Sequence, residues 1–136
     1  MAEARERKAG AGRFVLIVED NLEVRNTLGR LLTAEGYRVR TVTNGAEALA
    51  VITDPRGELP DVVLLDLGLP AVSGVEFLTE LRQNPRTPKL PVVVLTGRAD
   101  LEEEKAVRQL GVSSYLKKPA SREELCRALS RAAETG

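Results

Sequence analysis

Phe14-Val15-Leu16-Ile17-Val18-Glu19-Asp20 sets five consecutive apolar residues directly before two acids. Five residues are too few for a helix, and the β-branched content favours a strand. A strand that is apolar on every residue, instead of on alternate ones, is covered on both faces, as in a parallel sheet. The same reading applies to Val62-Val63-Leu64-Leu65, which runs into Asp66, and to Val92-Val93-Val94-Leu95, which runs into Thr96-Gly97. Tyr37–Val42 and Ser114–Lys117 supply a second and a fifth strand.

Between these runs the apolar residues recur at helical spacing. Val24, Leu28, Leu31 and Leu32 define a helix ended by Gly36; Ala48, Leu49 and Ile52 define one capped by Asn44 and closed by the turn Asp54-Pro55-Arg56-Gly57. Val75, Leu78 and Leu81 follow the third strand, and a charged helix from about Asp100 to Leu110 follows the fourth. The last helix starts at Ser121, where Ser121-Arg122-Glu123-Glu124 fits a capping box, and carries Leu125, Ala128, Leu129 and Ala132. Five βα units are too few for a closed eight-stranded barrel. The pattern predicts an α/β fold: a five-stranded parallel sheet, doubly wound, in the flavodoxin-like order 2-1-3-4-5.

Composition narrows the chemistry. The chain has 136 residues, 20 Lys plus Arg against 20 Asp plus Glu, no histidine and one cysteine. One ordinary domain accounts for that length. Balanced charge argues against nucleic acid or an anionic membrane surface as the main partner, since both are bound through a basic excess. Without histidine there is no Ser-His-Asp or Cys-His nucleophile and no His-ligated zinc. The lone Cys126 forms no internal disulfide and reads as structural. Residues 1–12 hold Arg5, Arg7 and Lys8 but no apolar stretch, so they read as a flexible tail and not as a secretion signal. Residues 134–136 read as a C-terminal tail, and the chain as cytoplasmic, with no membrane segment.

In doubly wound sheets ligands sit at the carboxyl ends of the strands. There this sequence places Glu19 and Asp20, then Asp66, then Thr96-Gly97, then Lys117-Lys118-Pro119. If the first and third strands are neighbours, three carboxylates converge. At about 5 Å and an effective dielectric near 20, each pair repels by roughly 3 kcal/mol. Such a cluster protonates, pairs with a cation or binds a metal. An all-oxygen site suits Mg²⁺, which keeps waters and leaves positions for phosphate oxygens. A carboxylate nucleophile, a divalent ion, a lysine and a hydroxyl are the parts of a phosphoryl-transfer site, and an ionised carboxylate needs no general base.

Four motifs carry a resemblance: Val18-Glu19-Asp20-Asn21; Leu64-Leu65-Asp66-Leu67-Gly68-Leu69-Pro70 with Gly74 following; Val94-Leu95-Thr96-Gly97; and Tyr115-Leu116-Lys117-Lys118-Pro119. Each is weak alone. In order, each at a strand end, they make residues 13–133 resemble a chemotaxis-regulator-like receiver domain of two-component response regulators.

The resemblance implies that Asp66 is the phosphoacceptor and that Mg²⁺ (or Mn²⁺) is held by Asp20, Asp66 and the Gly68 backbone carbonyl, with Glu19 acting through a water. It implies that Thr96, the Gly97 N–H and Lys118 bind phosphoryl oxygens, that Lys117 points to solvent, and that Lys118-Pro119 matches the family's cis peptide. Thr96 and Tyr115 match the switch pair: on phosphorylation Thr96 moves toward the phosphoryl group and Tyr115 turns inward. That biases the surface formed by the fourth helix, fifth strand and fifth helix. Gly68 and Arg98 occupy the two positions that tune hydrolysis of the aspartyl phosphate. Ala120, where a bulky apolar residue often follows the proline, departs from the common pattern.

The implied partners are a sensor histidine kinase or histidine phosphotransfer protein, which supplies the phosphohistidine, and an unknown downstream protein. With little chain after Ala133, direct DNA binding is not expected, and the protein is expected to be a monomer or weak homodimer. It would be a signalling receiver that catalyses only its own phosphorylation and dephosphorylation. A haloacid-dehalogenase-type phosphatase needs an acid where Gly68 stands, and a flavodoxin phosphate loop would not carry Glu19 and Asp20. The remaining alternative is a phosphorylation-independent, receiver-like interaction module, against which Asp20, Asp66, Thr96 and Lys118 argue.

Overall fold

The computed structural model describes residues 10–67, 73–97 and 100–135. Five strands alternate with five helices: β1 (Phe14–Val18), α1 (Leu22–Ala34), β2 (Arg38–Val42), α2 (Gly45–Thr53), β3 (Val62–Leu65), α3 (Gly74–Gln83), β4 (Val92–Thr96), α4 (Leu101–Gln109), β5 (Ser114–Lys117) and α5 (Arg122–Thr135). All strand pairs are parallel, in the order β2-β1-β3-β4-β5. The continuous apolar runs are the three inner strands, and every residue of β1, β3 and β4 is buried. The polar-interleaved β2 and the partly exposed β5 are the edges.

Alternate residues of each inner strand enter two separate cores, because successive side chains point to opposite faces. Val15, Ile17, Leu64 and Val93 pack with Leu28 and Leu32 of α1 and with Leu125, Ala128, Leu129 and Ala132 of α5. Leu16, Val18, Leu65 and Val94 pack with Ala48 and Ile52 of α2, Phe77, Leu78 and Leu81 of α3, and Val107 of α4. A fully buried side chain of this kind contributes about 1.5–3 kcal/mol of transfer free energy. No described helix is long and apolar enough to cross a membrane.

Local signals place the helix ends. Asn44 Oδ1 accepts from the Glu47 N–H at 2.8 Å while Glu47 Oε1 accepts from the Thr43 N–H. At α5 the capping box is reciprocal, with Glu124 N–H to Ser121 Oγ at 3.0 Å and Ser121 N–H to Glu124 Oε1 at 3.1 Å. Gly36 (φ 94°) ends α1, and the bonds Gly36 N–H to Thr33 O and Tyr37 N–H to Leu32 O close its last turn.

Two element bounds differ from the sequence-based ones. Gly10–Gly12, within the stretch read as a tail, hydrogen-bond to the α1–β2 connection: Gly10 N–H to Glu35 O at 2.8 Å and Gly12 N–H to Gly36 O at 2.9 Å. A Cβ at Gly10 would lie 2.3 Å from the Tyr37 nitrogen, so only glycine allows this approach. At the other end α5 continues past Ala133 to Thr135.

Candidate functional site

Register brings the acids together. Ile17 pairs with Leu64 and Val18 with Leu65, so β1 and β3 end level and their following residues meet. The Asp66 N–H donates to Val18 O at 3.1 Å, and the Glu19 N–H donates to Val42 O at 3.1 Å, which extends the ladder by one residue on each side of the site. Glu19, Asp20 and Asp66 each offer a carboxylate oxygen, all within 4.8 Å of one another. At that separation the pairwise repulsion is about 3 kcal/mol for an effective dielectric near 20, and less where Asp20 faces water.

Asn21, not Asp20, caps α1, its Oδ1 accepting from the Val24 N–H at 3.0 Å. Capping therefore leaves Asp20 unexplained, as a site residue should be. Glu19 is 2 % exposed and uses both oxygens: Oε2 accepts from the Asn21 N–H at 3.2 Å, and Oε1 accepts from Lys118 Nζ at 2.8 Å. Burial pushes the Glu19 carboxyl above its usual range, against the lowering influence of Lys118 and the Asn21 N–H. Lys118 Nζ also lies 3.5 Å from Asp66 Oδ2. Burial alone would lower the lysine, but the hydrogen bond to Glu19 and the charges of Asp66 and Glu19 raise it, so the ammonium is held charged.

The second half of the site comes from β4 and β5. Thr96 is fully buried at the end of β4 and pairs with Lys117, and its carbonyl accepts from the Lys118 N–H at 2.8 Å. The Lys118 aliphatic stem runs past Gly97, where an added Cβ would meet Lys118 Cδ at 3.9 Å. Lys117 is exposed, and the Lys118-Pro119 peptide is cis. Tyr115 lies on β5 with its half-buried ring against Arg108 of α4. Gly68 and Arg98 lie outside the described residues.

Arg25 belongs to the site although its type and spacing did not single it out. Its Nη1 donates to Glu19 O at 3.1 Å and to Asp20 O at 3.3 Å, pinning the backbone of the acidic pair from the first turns of α1. The available signal was its position on the helix that opens directly after the acids. The donor set is all oxygen, two of the three carboxylates face the Lys118 ammonium, and the cluster lies at the C-terminal end of the strands. Those properties fit a hard divalent cation such as Mg²⁺.

The chain is similar in sequence and fold to known proteins. The response regulator receiver domain family matches residues 15–130. The phosphate regulon transcriptional regulatory protein PhoB of Rhizobium meliloti (strain 1021) is 41% identical over 113 residues, 82% of this chain and 48% of that protein. The chain thus spans about half the length of the curated relatives it matches. Among solved structures, the receiver domain of the sensor histidine kinase PA1611 from Pseudomonas aeruginosa PAO1, with a magnesium ion coordinated in its active-site cleft, superposes with a TM-score of 0.81. It is 32% identical and covers 91% of this chain and 99% of its own. The Mn²⁺-bound response regulator Rcp1 superposes with a TM-score of 0.75 at 28% identity, covering 88% of this chain and 90% of its own.

Proposed function

The chain belongs to the response regulator receiver domain family, and from that premise we propose that it accepts a phosphoryl group on Asp66 in a histidine-to-aspartate relay and thereby controls a partner protein. One observation carries the reading: three carboxylate oxygens lie within 4.8 Å of one another at the ends of β1 and β3, with the Lys118 ammonium against Glu19 and Asp66. A structural role alone does not explain three adjacent acids that repel one another.

Asp20 and Asp66 would hold Mg²⁺ or Mn²⁺ with the Gly68 carbonyl, and Glu19 would contribute through a water. When bound, the ion neutralises charge on the incoming phosphoryl oxygens. An ionised Asp66 oxygen attacks phosphorus; the bond from phosphorus to the phosphohistidine nitrogen of the partner breaks, and that nitrogen retains the electron pair. Lys118 holds one equatorial oxygen, and the Thr96 hydroxyl and Gly97 N–H hold others. Arg25 keeps the Glu19–Asp20 backbone in place during this step. The result is an acyl phosphate on Asp66, which draws Thr96 toward it and lets Tyr115 turn inward. The surface of α4, β5 and α5 then presents a changed face to the downstream partner. Gly68, being glycine, brings no side chain to one of the two positions that tune hydrolysis in this family, and Arg98 occupies the other, so Arg98→Ala should change the phosphoryl half-life.

The test is incubation with Mg²⁺ and acetyl phosphate followed by intact mass. One phosphoryl adduct on the wild type, lost in Asp66→Asn and without Mg²⁺, supports the reading. No adduct on the wild type refutes it and leaves a module that signals by binding alone.

A further inference from the structure

The half-buried Tyr115 ring is covered from α4 by the Arg108 guanidinium, whose Cζ stands 5.6 Å from the ring centroid. Arg108 is itself held in position: its Nε donates to Glu104 Oε2 at 3.0 Å, one helical turn earlier. Glu104 thus fixes the arginine and the arginine covers the ring, a side-chain bridge from α4 to β5 outside the acidic cluster. The two interactions use different parts of the same group, the Nε edge for the carboxylate and the flat face for the ring. A lysine, with a compact ammonium on a flexible stem, does not reproduce both together.

Building on the reading of Tyr115 as the residue that turns, we infer that Arg108 is a latch: paired with Glu104, it holds the Tyr115 ring against α4 in the unphosphorylated state. The ring leaves only when the cation–π contact is given up. An exposed contact of this kind biases an equilibrium by a factor of about two to five. That is enough to suppress spontaneous switching and small enough for a phosphoryl group to overcome. The latch therefore sets how much of the switched state exists before any signal arrives, and it couples the position of α4 to the ring.

The chain has two tyrosines and no tryptophan, so 3-fluorotyrosine labelling gives two ¹⁹F resonances, and Tyr37→Phe identifies that of Tyr115. Wild type is recorded with Mg²⁺ alone and with Mg²⁺ plus acetyl phosphate, and intact mass is measured on the same samples. In Arg108→Ala the weight of the switched Tyr115 environment without phosphodonor should rise two- to five-fold. Glu104→Gln should raise it less, and Arg108→Lys should restore it in part. A donor-free Tyr115 population identical in wild type, Arg108→Ala and Glu104→Gln overturns the latch. A phosphoryl adduct with that unchanged population overturns the latch alone. Absence of the adduct instead removes the phosphoacceptor reading, while the donor-free comparison still decides the latch.

Discussion

The Lys118 ammonium lies 2.8 Å from Glu19 Oε1, although the two residues are 99 positions apart in the chain. It is farther, 3.5 Å, from Asp66 Oδ2. The longer side chain of glutamate at position 19 thus engages the lysine, and the lysine spans two of the three acids. The rest of the site is organised around this pair.

Removing the lysine leaves a nearly fully buried carboxylate without its cation. Lys118→Met should therefore lower stability by about 1–3 kcal/mol, below the range for a fully buried pair because the lysine side chain is 27% exposed. Urea unfolding checks this, and an unchanged midpoint would mean that Glu19 is neutral or solvated.

The acids repel one another, so function and stability oppose here. Asp66→Asn and Asp20→Ala should each stabilise the metal-free protein by about 1 kcal/mol, after allowance for screening at the exposed Asp20. Mg²⁺ should raise the wild-type Tm and raise that of either variant much less, because a ligand stabilises in proportion to its binding of the native state. Thermal scans with and without Mg²⁺ test both halves; a Tm rise preserved in Asp20→Ala would place the ion elsewhere.

Gly74 opens α3 where the helix crosses Leu67. An added Cβ would lie 2.7 Å from Leu67 Cδ2 and 2.8 Å from Leu67 Cα, and the second neighbour is backbone. Gly74→Ala should cost about 1–3 kcal/mol in spite of the better helix propensity of alanine. Chemical denaturation measures it. A stabilised variant would show that α3 can shift away without loss.

Much of the fold was legible because inner parallel strands cannot alternate: Phe14–Val18, Val62–Leu65 and Val92–Leu95 had no polar face to show. The Asn44 and Ser121 caps were readable for a similar reason, since the side chain and its backbone partner lie within one turn. The convergence of Glu19, Asp20 and Asp66 followed from strand order. Which acid bonds Lys118 did not, because that depends on one methylene and on distances set by packing across β3 and β4. Likewise Asn21 and Asp20 are equivalent as caps by residue type, and backbone geometry selects Asn21. Arg108 on Tyr115 and Arg82, which donates to Leu110 O, Gly111 O and Thr87 O, are tertiary contacts with no local signature.

Tyr37 gives the clearest pH dependence. Its ring is buried, its hydroxyl has no hydrogen-bond partner among the described residues, and burial first, then Cys126 and more weakly Glu35 and Glu134, push it up to about 12 against the opposing charge of Arg13. Above pH 10 the unfolded chain loses this proton while the folded protein keeps it, so the unfolded state binds fewer protons and stability falls as pH rises. About 2–3 kcal/mol should be lost between pH 10 and 12 through this residue. Tyr37→Phe should remove that part of the alkaline loss and be neutral or stabilising at pH 7, since it deletes an unpaired buried hydroxyl. Denaturant titrations of both proteins at pH 8 and pH 11 make the comparison; parallel losses would contradict the assignment.

Locating the phosphoryl group decides the matter most directly. After reaction with acetyl phosphate and Mg²⁺, borohydride reduction of the acyl phosphate marks the modified carboxyl, and peptide mapping reads its position. The mark is expected on Asp66 alone, absent when Mg²⁺ is withheld. A mark on Glu19 or Asp20, or none on the folded wild-type protein, would contradict the assignment of Asp66 as the residue that receives the signal.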